Sequence, residues 1–256
     1  GFTEIEPNGD FMFPYETVCK KPVDMRSYIW YRIGKMHCYG LGTQQDYEKA
    51  FEWYLKSAQE GNRFAQYSLG NLYYYGNGTD KDLSQAFQWY MKSAEQGQPY
   101  AAYAAAQMYN KGEYVSKDEN QAQEYYKQAL AGFLELESKN QADDNLFYKI
   151  GIMYKNGLGT DIDMDKAINY FMRSAELNNA NAKRTIALEY LSGKHLELDI
   201  EKGLEMLTEC ADRGDIMSCY KLGKIYFKGE IVYKDLNTSE KYFLKASEKE
   251  NQYALY

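Results

Sequence analysis

In the most regular stretch of the chain, apolar residues recur at helical spacing in two short blocks separated by a polar turn. Ala65, Leu69, Leu72 and Tyr73 fall on one face of the first block, and Ala86, Phe87, Trp89, Tyr90 and Ala94 on one face of the second. Gly76 follows the first block, where a helix commonly ends on a left-handed residue that has no Cβ to clash. Six residues later, Asp82 can accept from free amides and complement the positive end of a second helix, which then runs to about Gly97. The pattern predicts an antiparallel helix pair.

The same pair recurs along the chain. Gly40, Gly76, Gly112, Gly157, Gly193 and Gly229 are separated by 36, 36, 45, 36 and 36 residues, and Asp46, Asp82, Asp118, Asp163, Asp199 and Asp235 keep the same spacing. Ala50, Ala86, Ala122 and Ala167 form a third column, continued by Gly203 and Ser239. The units run over about 27–62, 63–98, 99–143, 144–179, 180–215 and 216–251, and NQYALY at the end reads as the start of a truncated seventh. One pair cannot bury its apolar face alone, so the pairs are expected to stack into an all-α, right-handed α/α superhelical solenoid. The third unit carries nine extra residues around ALAGFLELESKNQADD, where Ala122, Tyr126, Ala129 and Phe133 continue a helical face. This predicts that residues 118–138 form the longest helix and mark a change of superhelical path. Residues 1–26 hold Pro7, Pro14 and Pro22 and no helical period, and are expected to be extended.

AQYSLGNLYYYGNG and AFQWYMKSAEQG carry the pattern A-x-x-x-L-G-x-x-Y-x-x-G-x-G, a capping Asp, and A-x-x-W-Y-x-K-S-A-x-x-G. It resembles the Sel1-like repeat, a relative of the tetratricopeptide repeat, over about nine tenths of the chain. The third, fifth and sixth units depart from it: Tyr114, His195 and Ile231 replace the second turn glycine, and Ala106 and Ala187 replace the first-helix glycine. Some secreted members of this family staple each repeat with a disulfide. Cys210 and Cys219 are close enough in the chain to meet, but five of the six units lack such a pair, so two buried thiols are expected.

Composition removes several function classes. Hydrophobic residues make up 45% of the 256 and only 4 are Pro, so the chain folds. With 30 Lys plus Arg against 37 Asp plus Glu, the net charge of −7 offers no field for nucleic acid. No apolar run reaches the roughly 18–20 residues that insertion across a membrane requires. Four cysteines without a C-x-x-C pair and two histidines give no zinc spacing, and cysteine usage suggests a reduced compartment. Starting at Gly1, the chain reads as an excised fragment. DIDMDK at 161–166 lacks the Gly and Glu of a calcium loop, leaving Asp163 as a helix cap. The glycines at 76–78 and 157–159 lack the strand and Lys-Ser/Thr of a phosphate loop. His37 shares a column with Tyr73 and reads as packing; His195 falls in a solvated turn. No catalytic set, cofactor or metal site is identified.

Tyrosine is the compositional outlier, at 27 residues. One column reads Tyr31, Tyr67, Tyr103, Tyr148, Arg184 and Tyr220, opposite the apolar face of the first helix. In tetratricopeptide relatives this column faces the concave peptide groove, and the resemblance implies the same here; packing against the adjacent helix pair is the alternative. Lys35, Asn71, Tyr74 and Lys224 flank the column. These residues form the expected partner-binding set of a non-enzymatic scaffold for a protein or extended peptide. Phe11–Glu16 (FMFPYE) is an expected intramolecular occupant. The other reading is the repeat tail of a larger protein whose catalytic domain lies elsewhere, resembling tails of some bacterial mobilisation proteins.

Overall fold

The computed structural model describes residues 24–253 and contains, among them, twelve α-helices and no strand. These are α1 (Met25–Tyr39), α2 (Tyr47–Gln59), α3 (Arg63–Tyr75), α4 (Leu83–Glu95), α5 (Pro99–Lys111), α6 (Glu119–Ser138), α7 (Asp144–Asn156), α8 (Met164–Glu176), α9 (Ala180–Ser192), α10 (Ile200–Asp212), α11 (Ile216–Lys228) and α12 (Leu236–Tyr253). They fall into two compact units, α1–α6 and α7–α12, each a run of three helix pairs stacked in chain order. This is the α/α solenoid arrangement that the repeat predicts.

Two devices recur at every turn. The first helix of each pair ends on the expected glycine with φ between 62° and 74°. The recurring Asp then caps the second helix, as in Asp82, whose carboxylate accepts from the Gln85 amide at 3.0 Å. The same residue's amide donates back to the Tyr73 carbonyl at 2.9 Å, so one Asp closes the turn and starts the next helix. Asp24 caps α1 in a similar way, accepting from the Ser27 amide. Helix therefore begins at Met25, inside the 1–26 segment expected to be extended. A buried serine completes the pair, because Ser93 Oγ donates to the Arg63 carbonyl at 2.7 Å and ties the end of α4 to the start of α3.

Glycine also decides how closely paired helices approach. A Cβ on Gly70 would stand 2.6 Å from two ring carbons of Tyr90, and Gly34, Gly151 and Gly223 meet Tyr54, Phe171 and Phe243 in the same way. In these four pairs the bare glycine is the slot that receives the ring; the third pair holds Ala106 and Tyr126 in the same columns, and the fifth holds Ala187 and Leu207. Core clusters repeat accordingly: Ala50, Tyr54, Ala65 and Leu69 in one unit, Ala187, Leu207, Cys219 and Leu222 in the other.

The extra residues of the third pair lengthen its second helix, as expected. α6 has 20 residues against 13 in α4, and is the longest helix among the described residues. Its added turns carry Phe133, fully buried, onto Tyr100 with ring centroids 4.9 Å apart. Gly132 permits this approach, since a Cβ there would lie 2.7 Å from Pro99.

Candidate functional site

The predicted column stands on the first helices: Tyr31 on α1, Tyr67 on α3, Tyr103 on α5, Tyr148 on α7, Arg184 on α9 and Tyr220 on α11. Each tyrosine leans on an aromatic ring of its own second helix. Centroid separations are 5.9 Å for Tyr31–Tyr54, 6.0 Å for Tyr67–Tyr90 and 5.4 Å for Tyr103–Tyr126. Tyr148–Phe171 and Tyr220–Phe243 follow at 5.5 Å and 5.9 Å. Packing therefore accounts for one side of the column, and exposure differs along it. Tyr31, Tyr67 and Tyr148 are half-buried and Tyr220 is exposed, whereas Tyr103 is closed to 9%. At Tyr103 the packing alternative holds, and the ring is not available to a partner. The long α6 brings Phe133 to 6.2 Å from the Tyr103 ring, in addition to Tyr126 at 5.4 Å.

In the first unit the remaining candidates converge. Asn71 Oδ1 accepts from the Tyr90 hydroxyl at 2.8 Å, and the Asn71 side chain also hydrogen-bonds Tyr67. Burial pushes the Tyr67 phenol above its usual range in spite of that bond, and burial followed by the neighbouring tyrosines does the same at Tyr90. Both hydroxyls thus stay protonated and able to donate across the ordinary pH range. Tyr74 donates to Glu113 at 2.8 Å, and Lys111 stands 3.6 Å from the same carboxylate, so Tyr74 is committed to an internal network. Lys35 is half-buried on α1.

Two residues outside the predicted set complete this face. Tyr39 and Tyr75 occupy the last position of α1 and α3, just before the turn glycine, and are 64% and 68% exposed. Burial, then the nearby Cys38, Tyr67 and Tyr47, push the Tyr39 phenol up, and Tyr75 adds in the same direction at Tyr67. Tyr75 is braced edge-on against Tyr74, with centroids 5.0 Å apart. The sequence signal was the paired tyrosine immediately before Gly40 and Gly76, which the remaining units do not repeat.

In the second unit, Lys224 is exposed with its ammonium 5.6 Å from the Tyr220 ring centroid. Arg184 is held by Asp215 at 2.6 Å and by Asn181, so its charge is internally balanced. Burial pulls the Lys149 ammonium below its usual range. His195 is not the solvated residue expected: its Nδ1 lies 2.8 Å from Glu189 and the side chain is half-buried. Cys210 and Cys219 are buried thiols; burial pushes Cys210 up, and Cys219 approaches the Ala211 carbonyl at 3.7 Å. Asp163 caps α8, accepting from the Lys166 amide at 2.9 Å. FMFPYE lies outside the described residues. Among those residues, no group of three or more His, Cys, Asp or Glu converges as metal ligands, and no helix is long and apolar enough to cross a membrane.

A family model described as Sel1 repeat matches residues 31–62, 63–98, 99–132, 148–179, 186–215 and 216–251. Among solved structures, a Sel1 repeat protein from Oxalobacter formigenes is 29% identical, with a TM-score of 0.63 over 87% of this chain and 88% of that one. The protective antigen c5321 of uropathogenic Escherichia coli, which displays an SLR fold, is 26% identical with a TM-score of 0.56, over 87% of this chain and 46% of that one. The ERAD-associated E3 ubiquitin-protein ligase component HRD3 of Candida glabrata is 32% identical over 72 residues, which are 27% of this chain and 9% of that protein. The chain thus spans only a small part of the curated relative it matches.

Proposed function

The chain belongs to the Sel1 repeat family, and on that premise we propose that it is a non-enzymatic scaffold that binds a protein or an extended peptide on the face of its first helices. Sel1 repeat solenoids commonly serve protein–protein interaction. The observation that carries the reading is the aromatic rim of the first unit. Tyr39 and Tyr75 expose about two thirds of their surface beside a hydroxyl network anchored by Asn71. Such rings offer wide amphipathic contact at low side-chain entropy cost, and their hydroxyls can satisfy peptide backbone groups. In the same unit Tyr67 and Asn71 are held by Tyr90 on α4. Tyr103, enclosed by α6, supports the scaffold instead of contacting the partner.

A test compares proteins captured by the wild type with those captured by Tyr39→Ala/Tyr75→Ala, each captured partner being remade and its affinity measured directly. Loss of a specific partner by the variant, with helical content unchanged, supports the reading. Equal binding by both excludes the aromatic rim of the first unit as the contact. The match to a short part of a ubiquitin-ligase component favours a second reading, in which these repeats serve a larger protein as its interaction region.

A further inference from the structure

One surface feature of the second unit has no counterpart in the turn pattern. A groove of about 250 Å³ opens between α9 and α11, its floor made by Leu188, Leu191, Ile225 and Ile231. Ile231 occupies the place of the second turn glycine. In the second repeat that glycine, Gly78, fits so tightly that a Cβ would overlap the Tyr47 carbonyl, at 2.2 Å. In the sixth repeat the rule is broken by an apolar side chain that lines an open groove. Tyr114 and His195 break the same rule in the third and fifth repeats, and departures of this kind mark functional or strained sites.

The rim has a definite charge. Lys221, Lys224 and Lys228 all line the groove from α11, a 13-residue helix with no Asp or Glu, in a chain of net charge −7. The one carboxylate on the rim, Glu230, lies 3.5 Å from Lys228. Lys224 is turned over Tyr220, and Lys221 makes no ion pair within 4.0 Å among the described residues. An apolar floor under a cationic edge recognises a side chain and a charge together. For scale, a dry cavity of roughly 150 Å³ accommodates benzene.

We propose that the α9–α11 groove binds an acidic peptide segment of a partner protein, seating one large apolar side chain on Leu188, Leu191, Ile225 and Ile231 while flanking Asp or Glu residues meet Lys221 and Lys224. This names the partner chemistry for the scaffold reading above and rests on it. Apolar anchoring separates such a segment from nucleic acid, whose phosphates would use the lysines but leave the floor uncovered.

The test is selection of a random dodecapeptide display library on the wild-type protein at 150 mM salt, followed by affinity measurement on three variants. Selected sequences are expected to combine Leu, Ile, Phe or Met with Asp and Glu. Lys221→Glu/Lys224→Glu is expected to weaken them by about tenfold or more, because like charges then face each other. Leu188→Ser, a half-buried position, is expected to weaken them independently of salt, and circular dichroism checks that each variant keeps its helices. Acidic peptides whose affinity is unchanged by either substitution would overturn the groove. Peptides that instead depend only on Tyr39→Ala/Tyr75→Ala overturn the groove while leaving the scaffold reading intact. Failure to enrich any sequence counts against both. A single-stranded oligonucleotide that binds more tightly than the peptides, with the same lysine dependence, also overturns the proposal.

Discussion

Replacing Gly70 by Ala tests the packing on which the first unit's face is built. The new Cβ would stand 2.6 Å from Cδ1 and Cε1 of Tyr90 and 3.3 Å from the Ala86 carbonyl oxygen. Carbon atoms pack best at about 3.5–4.0 Å, so the overlap is roughly 1 Å. The Tyr90 ring has little room to yield, being 3% exposed and fixed by its hydroxyl on Asn71 at 2.8 Å. Overpacking of this kind costs about 1–3 kcal/mol. Alanine returns about 1 kcal/mol through helix propensity, and a displaced Tyr90–Asn71 bond adds about 0.5–1.5 kcal/mol to the loss. The expected net effect is destabilisation by about 0.5–3.5 kcal/mol, read by urea denaturation followed at 222 nm. The fifth repeat supplies the control for a smaller ring-column residue, because there Ala187 packs in one cluster with Leu207; the third repeat, which holds buried Ala106 and Tyr126 in the same two columns, is built with both and sets the lower end of the cost. Gly70→Ala should therefore cost much less in a Tyr90→Leu background, with a coupling of about 1 kcal/mol or more between the two sites. A neutral or stabilising Gly70→Ala, or an equal cost in both backgrounds, would refute the slot argument.

Tyr103→Ala should lower stability by about 3–5 kcal/mol, since it empties a closed aromatic site, whereas Tyr75→Ala should stay within about 0.5 kcal/mol; thermal unfolding of the two variants distinguishes a packing tyrosine from a surface one. Asp82→Ala should cost about 0.5–2 kcal/mol by removing the cap of α4, and an unchanged denaturation midpoint would show that the recurring Asp is not a cap. Amide hydrogen bonds hold Asp46 and Asp163 below the usual carboxylate range, and hydrogen bonds from Thr238 do the same for Asp235. A depressed folded-state value means the caps contribute fully above the ordinary Asp range near pH 4 and are lost as pH falls through their lower values. Thermal midpoints should therefore drop between about pH 4 and pH 2, and an Asp46→Asn/Asp163→Asn/Asp235→Asn variant should show a shallower drop.

The architecture was legible because its signals are local and repeated. Gly76 and Asp82 act on their own turn, and six copies in register leave few other ways to read them. The long α6 was legible for the same reason, since Phe133 continues the helical face of Ala122 and Tyr126. What escaped were consequences of one helix meeting another. The column of Tyr67 looks uniform in sequence, yet Tyr103 is closed, with Phe133, thirty residues later, against its ring in addition to Tyr126. Tyr39 and Tyr75 were overlooked because their exposure depends on where the helix stops, a difference of one residue before the turn glycine. Tyrosines outside the column were equally ambiguous. Tyr109 and Tyr154 stack on Tyr125 and Tyr170 at interplanar angles of 8° and 9°, so part of the excess is internal mortar between paired helices. Ile231 registered only as a break in the motif, and its groove required the neighbouring α9.

The central claim is that a partner engages the first helices and not the second. Calorimetric titration of one partner protein captured from cells tests it on two variants with substitutions at exposed positions of the first and of the second helices. Tyr39→Ala/Tyr75→Ala changes the first helices, and Glu52→Ala/Gln88→Ala changes exposed residues of α2 and α4. Aromatic anchors at an interface carry about 2 kcal/mol or more, equivalent to roughly thirtyfold in Kd. The account predicts a loss of that order for the tyrosine pair and an unchanged Kd for the other; the opposite ranking, or equal affinity in both variants, would contradict it.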